Sequence, residues 1–166
     1  MLHPQANIFG CEPDYDGYNQ GRVRGSPPDF GRRRFFGGHI HLDGPFNCPL
    51  HIAACFLDVF LADTMSYSSR TSWYGSPGVY RPKPYGIEYR TPGVAWLNGE
   101  RSRTLVVKRA QSCVEYIRTT SSGVLRKDLN RINWDIVRGR IMGTHTNSMF
   151  IRSLPKHIHD AREYLT

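Results

Sequence analysis

Long apolar runs are missing from this 166-residue chain. The longest, Leu50 to Ala62, is interrupted by Asp58 and falls short of the roughly 20 residues that a membrane-crossing helix requires. No apolar signal segment opens the chain. Cysteine is scarce and unpatterned: Cys11, Cys48, Cys55 and Cys113 form no CxxC pair and no metal-ligand spacing, which argues for buried free thiols in a reduced, cytoplasmic setting. Internal repeats, low-complexity tracts, a nucleophile elbow and a Cys-His signature are also lacking, so the residues for covalent catalysis are not in evidence. Lysine is confined to Lys83, Lys108, Lys127 and Lys156, and the formal charge of +8 therefore rests on arginine. Its planar fork of donors suits phosphate and carboxylate, so the excess points to anionic partners, either nucleotide phosphates or nucleic acid.

What is present is ordinary for a globular protein: 39% hydrophobic, 12% aromatic and 22% charged residues. The length suits a single domain able to bury a core. Residues 1–35, rich in Gly, Pro, Asp and Arg, read as loop with a short strand through Ala6 to Cys11. In the run FFGGHIHL from Phe35 to Leu42, strand alternation puts His39 and His41 on one face and Ile40 and Leu42 on the other. Residues 49–62 are apolar nearly all round, the pattern of a helix buried on most sides and lying across the sheet.

From Met65 to Tyr85, five serines and the prolines of YRPKPY predict a long ordered loop. GIEYRT, Gly86 to Thr91, is a second strand with Glu88 and Arg90 on one face. Val106, Ala110, Cys113, Val114 and Ile117 predict an amphipathic helix whose polar face includes Lys108, Arg109 and Ser112. Leu125, Leu129, Ile132 and Ile136 predict one further helix ending near Arg140, and Leu154 to Tyr164 a last short one. The expected domain thus runs from a loop-rich segment (1–35) through a motif core (36–97) to a helical part (98–166).

Two histidines two apart on one strand and Glu88-x-Arg90 on another have the chemistry of a divalent-metal and phosphate site. Carboxylate and imidazole hold a cation, and guanidinium neutralises a phosphoryl group. Taken singly, each pattern is weak, since alternating His decorates many half-exposed strands and a Glu–Arg pair on a sheet is common. Gly37-Gly38, which permit close backbone approach, and the basic positions Arg81 and Lys83, which project together from an extended chain, strengthen the pair. His51 reads as a core histidine, and His157 and His159 as two helix positions that share no face.

GCEPDYDGY at 10–18, GGHIHL at 37–42, LDVFLAD at 57–63 and YGSPGVYRPKPYGIEYRTP at 74–92 together resemble the phage-encoded branch of the carboxylate-amine ligase superfamily, related to glutamine synthetase and glutamate-cysteine ligase. The resemblance implies an α+β fold in which a curved, mostly antiparallel sheet of glutamine synthetase type carries the motif strands, with helices packed behind it. It implies amide formation from a small-molecule or peptide carboxylate and an amine, through an acyl phosphate, at the expense of ATP with magnesium. His39 and Glu88 then correspond to metal ligands, His41 to a contact with the ATP phosphates, and Arg90 and Arg81 to catalytic phosphate-binding arginines, with Lys83 beside them. Glu12 and Asp14 fall in the family's acidic motif, without an assigned role. Family members carry a further acidic strand ahead of that motif, so the expectations for this chain are a truncated or internal start, a second copy in an oligomer or a partner chain that supplies the strand, or a degenerate member that keeps the fold without catalysis. In a phage-encoded protein the setting is the host cytoplasm.

The other reading is a noncatalytic structural or nucleic-acid-binding protein. It draws on the basic clusters Arg22-Val23-Arg24 and Arg32 to Arg34 and on Phe35, Phe36, Trp73 and Tyr74 as stacking aromatics.

Overall fold

The computed structural model describes residues 12–25, 37–65 and 75–163. It is an α+β arrangement with one open five-stranded sheet, β1 (Tyr15–Asp16), β2 (Arg22–Val23), β3 (Ile40–Asp43), β4 (Val79–Lys83) and β5 (Gly86–Tyr89), in the order β2-β1-β4-β5-β3. Every pairing is antiparallel. The helices are α1 (Leu50–Leu61), α2 (Glu100–Thr119), α3 (Ser122–Arg131), α4 (Trp134–Ile141), α5 (Asn147–Ser153) and α6 (Lys156–Glu163), with a 3-10 turn at Val94–Asn98. None of these helices is long and apolar enough to cross a membrane.

The all-round apolar character of α1 follows from its position. One side meets β4 and β5 and the others meet α2 and α4, so Ala53, Ala54, Phe56, Leu57, Val59, Phe60 and Leu61 are all fully buried. From the sheet, Tyr80, Ile87 and Tyr89 complete this core. At about 25 cal/mol per Å² of apolar surface, the fully buried aliphatic and aromatic side chains of α1 each contribute on the order of 2 kcal/mol.

Asp58 is buried within this helix and is held by two tyrosine hydroxyls, Tyr18 Oη donating to Oδ2 at 2.9 Å and Tyr89 Oη donating to Oδ1 at 2.5 Å. Burial, together with the Asp58 charge, pushes the Tyr18 hydroxyl far above its ordinary range and keeps it a donor. The carboxylate that interrupts the apolar run therefore pins α1 to β5 and to the turn after β1.

The chain departs from the sequence expectations at five places. Val79–Lys83 is a strand rather than part of a loop. Proline is tolerated there because β1 pairs only as far as Tyr80, so Pro82 has no neighbour on that side that needs its missing N–H. β3 begins at Ile40, one residue after His39. The helix expected from Leu125 towards Arg140 is broken at Ile132–Asn133, where the Asn133 side chain accepts the Ile136 N–H at 3.2 Å and starts α4. α5 was not expected; Thr146 caps it by accepting the Met149 N–H at 3.3 Å.

Arg109, placed on the polar face of its helix, is instead buried between α1 and α6. It donates to Glu163 at 2.5 Å and lies 3.8 Å from Asp63, which also binds the buried Arg162 at 2.5 Å. The strand expected at Ala6–Cys11, Arg32 to Arg34, and the aromatics Phe35, Phe36, Trp73 and Tyr74 lie outside the described residues.

Removing one donor from Asp58 leaves a buried carboxylate short of a partner. The Tyr89→Phe variant is expected to lose about 1–3 kcal/mol of folding free energy, read as a lower urea midpoint at unchanged slope. A midpoint equal to wild type would show that Tyr89 does not anchor the helix.

Candidate functional site

Strand alternation divides β5 between two environments. Ile87 and Tyr89 point into the core against α1, so Glu88 points to the opposite face. In the register of the sheet Glu88 lies opposite Arg81 on β4 and opposite His41 on β3, which sets the three side by side across adjacent strands. Lys83 occupies the same face two residues beyond Arg81. Arg90 follows β5 and keeps the ladder going, its N–H donating to Val79 O at 2.8 Å. All six residues singled out in the sequence, His39, His41, Arg81, Lys83, Glu88 and Arg90, therefore come together in one region of one sheet face.

Glu88 is the hub. Its Oε1 accepts from Arg90 Nη1, lies 3.1 Å from His39 Nδ1 and 4.0 Å from Arg81 Nη1, while Oε2 lies 3.2 Å from Lys83 Nζ. Burial by itself raises the pKa of this carboxyl, but Arg90, Lys83 and Arg81 outweigh that effect and hold it below the ordinary carboxylate range. It is ionised at neutral pH.

The acidic motif now acquires a role. Asp14 Oδ1 accepts from Arg81 Nε at 2.7 Å and lies 3.0 Å from Arg90 Nε, so one carboxylate holds the two guanidinium groups side by side. Glu12, more exposed, accepts from Lys83 Nζ at 2.5 Å. Three cations thus face three carboxylates, Glu12, Asp14 and Glu88, and the cluster is close to neutral.

His39 sits just ahead of β3 because Gly37 and Gly38 let the backbone close up. A Cβ at Gly38 would lie 2.4 Å from Gly93 O and 2.3 Å from the Trp96 indole nitrogen, which donates to Gly38 O at 2.9 Å. A Cβ at Gly37 would lie 2.2 Å from His39 Nε2. Burial first, and the nearby Arg90 charge second, push the His39 pKa down to about 4 despite the opposing pull of Glu88. The ring is neutral at pH 7, so its 3.1 Å approach to Glu88 is not an ion pair. Nδ1 is 3.0 Å from Arg90 Nη1, and Nε2 is a buried atom with no partner among the described residues.

These contacts decide how a metal fits. His39 Nδ1 and Glu88 Oε1 are the two donors that converge, and Arg90 Nη1 contacts both. His39 and Glu88 are the residues that would hold a cation, and in this structure Arg90 takes up both. Among the described residues no three His, Cys, Asp or Glu side chains gather into a metal site of their own. His39 and Glu88 would therefore be available to a divalent ion only if Arg90 gave up these contacts. The carboxylate oxygen is a ligand type that magnesium accepts.

His41 is exposed, and its Nδ1 is hydrogen-bonded to the Tyr85 hydroxyl. Tyr85 was not singled out in the sequence; it closes the β4–β5 turn, and only the cross-strand register brings it beside His41. The basic cluster Arg22-Val23-Arg24 lies on the far edge strand β2 and beyond, where Arg24 reaches Ser76 at 3.5 Å. No protein-family model, no curated protein and no solved structure matches this chain.

The His39 shift carries a sign. Between pH 6.5 and about 4 the unfolded chain binds a proton on this ring that the folded chain refuses, so stability falls as pH drops through that window. Glu88, whose folded pKa is depressed, contributes stability above its unfolded value of 4.5 that is lost only at lower pH. Urea titrations at pH 7 and near pH 4.5 are expected to show a smaller loss of stability in a folded His39→Asn variant than in wild type. Equal losses would mean that His39 is not held neutral.

Proposed function

We propose that the charged face of the sheet is a polyphosphate site, and that the protein is an ATP-dependent carboxylate-amine ligase of the glutamine synthetase-like class. The observation that supports the reading is the convergence of Arg81, Lys83 and Arg90 around a single buried carboxylate, Glu88, with His39 beside it. Glu12, Asp14 and Glu88 balance these three cations in the free protein, so a polyanion has to take over contacts that those carboxylates hold. The donors of the three cations are arranged so that an anion lying along the face can be met by several at once.

In this reading Asp14 holds Arg81 and Arg90 together through their Nε atoms and so positions them for the phosphoryl group as its charge develops. Arg90 exchanges its contacts with Glu88 and His39 for phosphate oxygens, which frees His39 Nδ1 and Glu88 Oε1 for a cation. Lys83 supplies a further point charge, tethered by Glu12. Magnesium, when bound, neutralises the polyphosphate. A substrate carboxylate oxygen would take the γ-phosphoryl group from ATP with ADP leaving, and an amine would then displace phosphate from the acyl phosphate and lose a proton to form the amide, the protein's part being positioning and charge rather than covalent attack.

Calorimetric titration of ATP with magnesium tests the reading. Wild type is expected to bind only when both are present, and binding is expected to fall by more than about tenfold in Glu88→Gln and in His39→Ala, each checked as folded by circular dichroism. A folded wild-type protein that takes up no magnesium-ATP contradicts it. Uptake of single-stranded nucleic acid that weakens steeply with salt and ignores Glu88→Gln would favour the nucleic-acid reading instead.

A further inference from the structure

Beside the ion-pair cluster the same sheet face carries an aromatic pair that phosphate chemistry leaves unused. Tyr85 is 45% exposed, large for an aromatic side chain, and His41 beside it is exposed as well. Their ring centroids are 6.1 Å apart at an interplanar angle of 35°, and the Tyr85 hydroxyl is hydrogen-bonded to His41 Nδ1. The pair forms one tilted, partly open aromatic surface.

An exposed surface tyrosine is ordinarily free to change rotamer, whereas this one is held at both ends. The hydroxyl is fixed by His41. Its backbone carbonyl accepts the Gly44 N–H at 2.7 Å. Gly44 is in turn clamped by Arg118 of α2, whose Nη2 donates to Asp43 O at 2.6 Å and to Gly44 O at 2.9 Å. Next to the tyrosine, Gly86 adopts φ +155°, and a Cβ there would lie 2.3 Å from Leu42 O, so the turn admits no other residue without rearrangement. The ring is therefore positioned by polar and backbone contacts while the side chain stays 45% exposed. That combination lowers the conformational cost of stacking a planar ligand on it.

Location supplies the rest. Arg81, Glu88 and His41 lie opposite one another on β4, β5 and β3, one strand spacing of roughly 4.8 Å apart at each step. Arg81 and Lys83 lie on β4 and Arg90 just after β5, while of the aromatic pair His41 lies on β3 and Tyr85 in the β4–β5 turn. We infer that Tyr85 and His41 form a stacking platform for the planar ring of a ligand whose anionic chain lies on Arg81, Lys83 and Arg90, which makes that ligand a nucleotide and Tyr85 the residue on which its base stacks. This rests on the face being a polyphosphate site and adds to it a reason for preferring a nucleotide over inorganic polyphosphate.

Magnesium-ATP and magnesium-tripolyphosphate, titrated in parallel into wild type, Tyr85→Phe and Tyr85→Ala, separate the two claims. The platform predicts that Tyr85→Ala weakens ATP by about tenfold and leaves tripolyphosphate within about twofold, because only ATP has a base to stack. Tyr85→Phe keeps the ring and is expected to hold ATP affinity within about threefold of wild type. Tripolyphosphate and ATP bound equally by wild type, or weakened equally by Tyr85→Ala, would overturn the platform while leaving the polyphosphate site standing. Neither ligand bound by the folded wild-type protein would overturn both.

Discussion

Glu88 is a carboxylate with almost no access to water in the middle strand pair of a sheet, and that placement governs the rest of the charged face. An ion in such a position is costly unless its charge is met at close range. Arg90, Lys83 and Arg81 meet it, and those cations require compensation in turn, which Asp14 and Glu12 provide from the segment before β1. The loop-rich beginning of the described chain is thus tied to the sheet through charge. Removing either sign would leave the other uncompensated, so the cluster has to be kept or lost as a unit.

The same density of charge defines what the face can do. Arg90 satisfies Glu88 and His39 at once, the two residues that would hold a cation, and Asp14 contacts both Arg90 and Arg81. A ligand with several negative oxygens offers the two arginines and Lys83 an equivalent set of acceptors. In exchange it releases an oxygen and a nitrogen donor that already lie 3.1 Å apart. On this account binding of anion and cation is coupled because both depend on the position of one guanidinium. The core behind the face, with α1 locked to β5 through Asp58 and Tyr89, gives the strands a rigid backing for that exchange.

Several of these features were legible in the sequence, and the failures have definite causes. Helix α1 could be read from its apolarity on all sides, since a helix enclosed by a sheet and two helices has no solvent face to keep polar. Glu88 and Arg90 could be placed together because β5 alternates cleanly. β4 was hidden by its prolines, which ordinarily exclude a central strand and are admitted here only where β1 has already stopped. The break between α3 and α4 was hidden because Leu125, Leu129, Ile132 and Ile136 keep helical phase across it; the Asn133 cap was the available sign. Arg109 was placed at the surface because its partners, Asp63 and Glu163, are 46 and 54 residues away in sequence and no local pattern announces them. Asp14 was visible as part of an acidic motif, but its role depends on a cross-strand neighbour. Tyr85 carried no local sign at all.

The coupling through Arg90 is open to direct observation by side-chain nitrogen NMR of the arginine guanidinium groups, with Arg90 assigned by its loss in Arg90→Lys. The account predicts that its resonance stays in place when magnesium alone is added and moves when magnesium and ATP are added together, as the group leaves Glu88 and His39 for phosphate. A shift produced by magnesium alone, or an unmoved resonance at saturating magnesium-ATP, would contradict it.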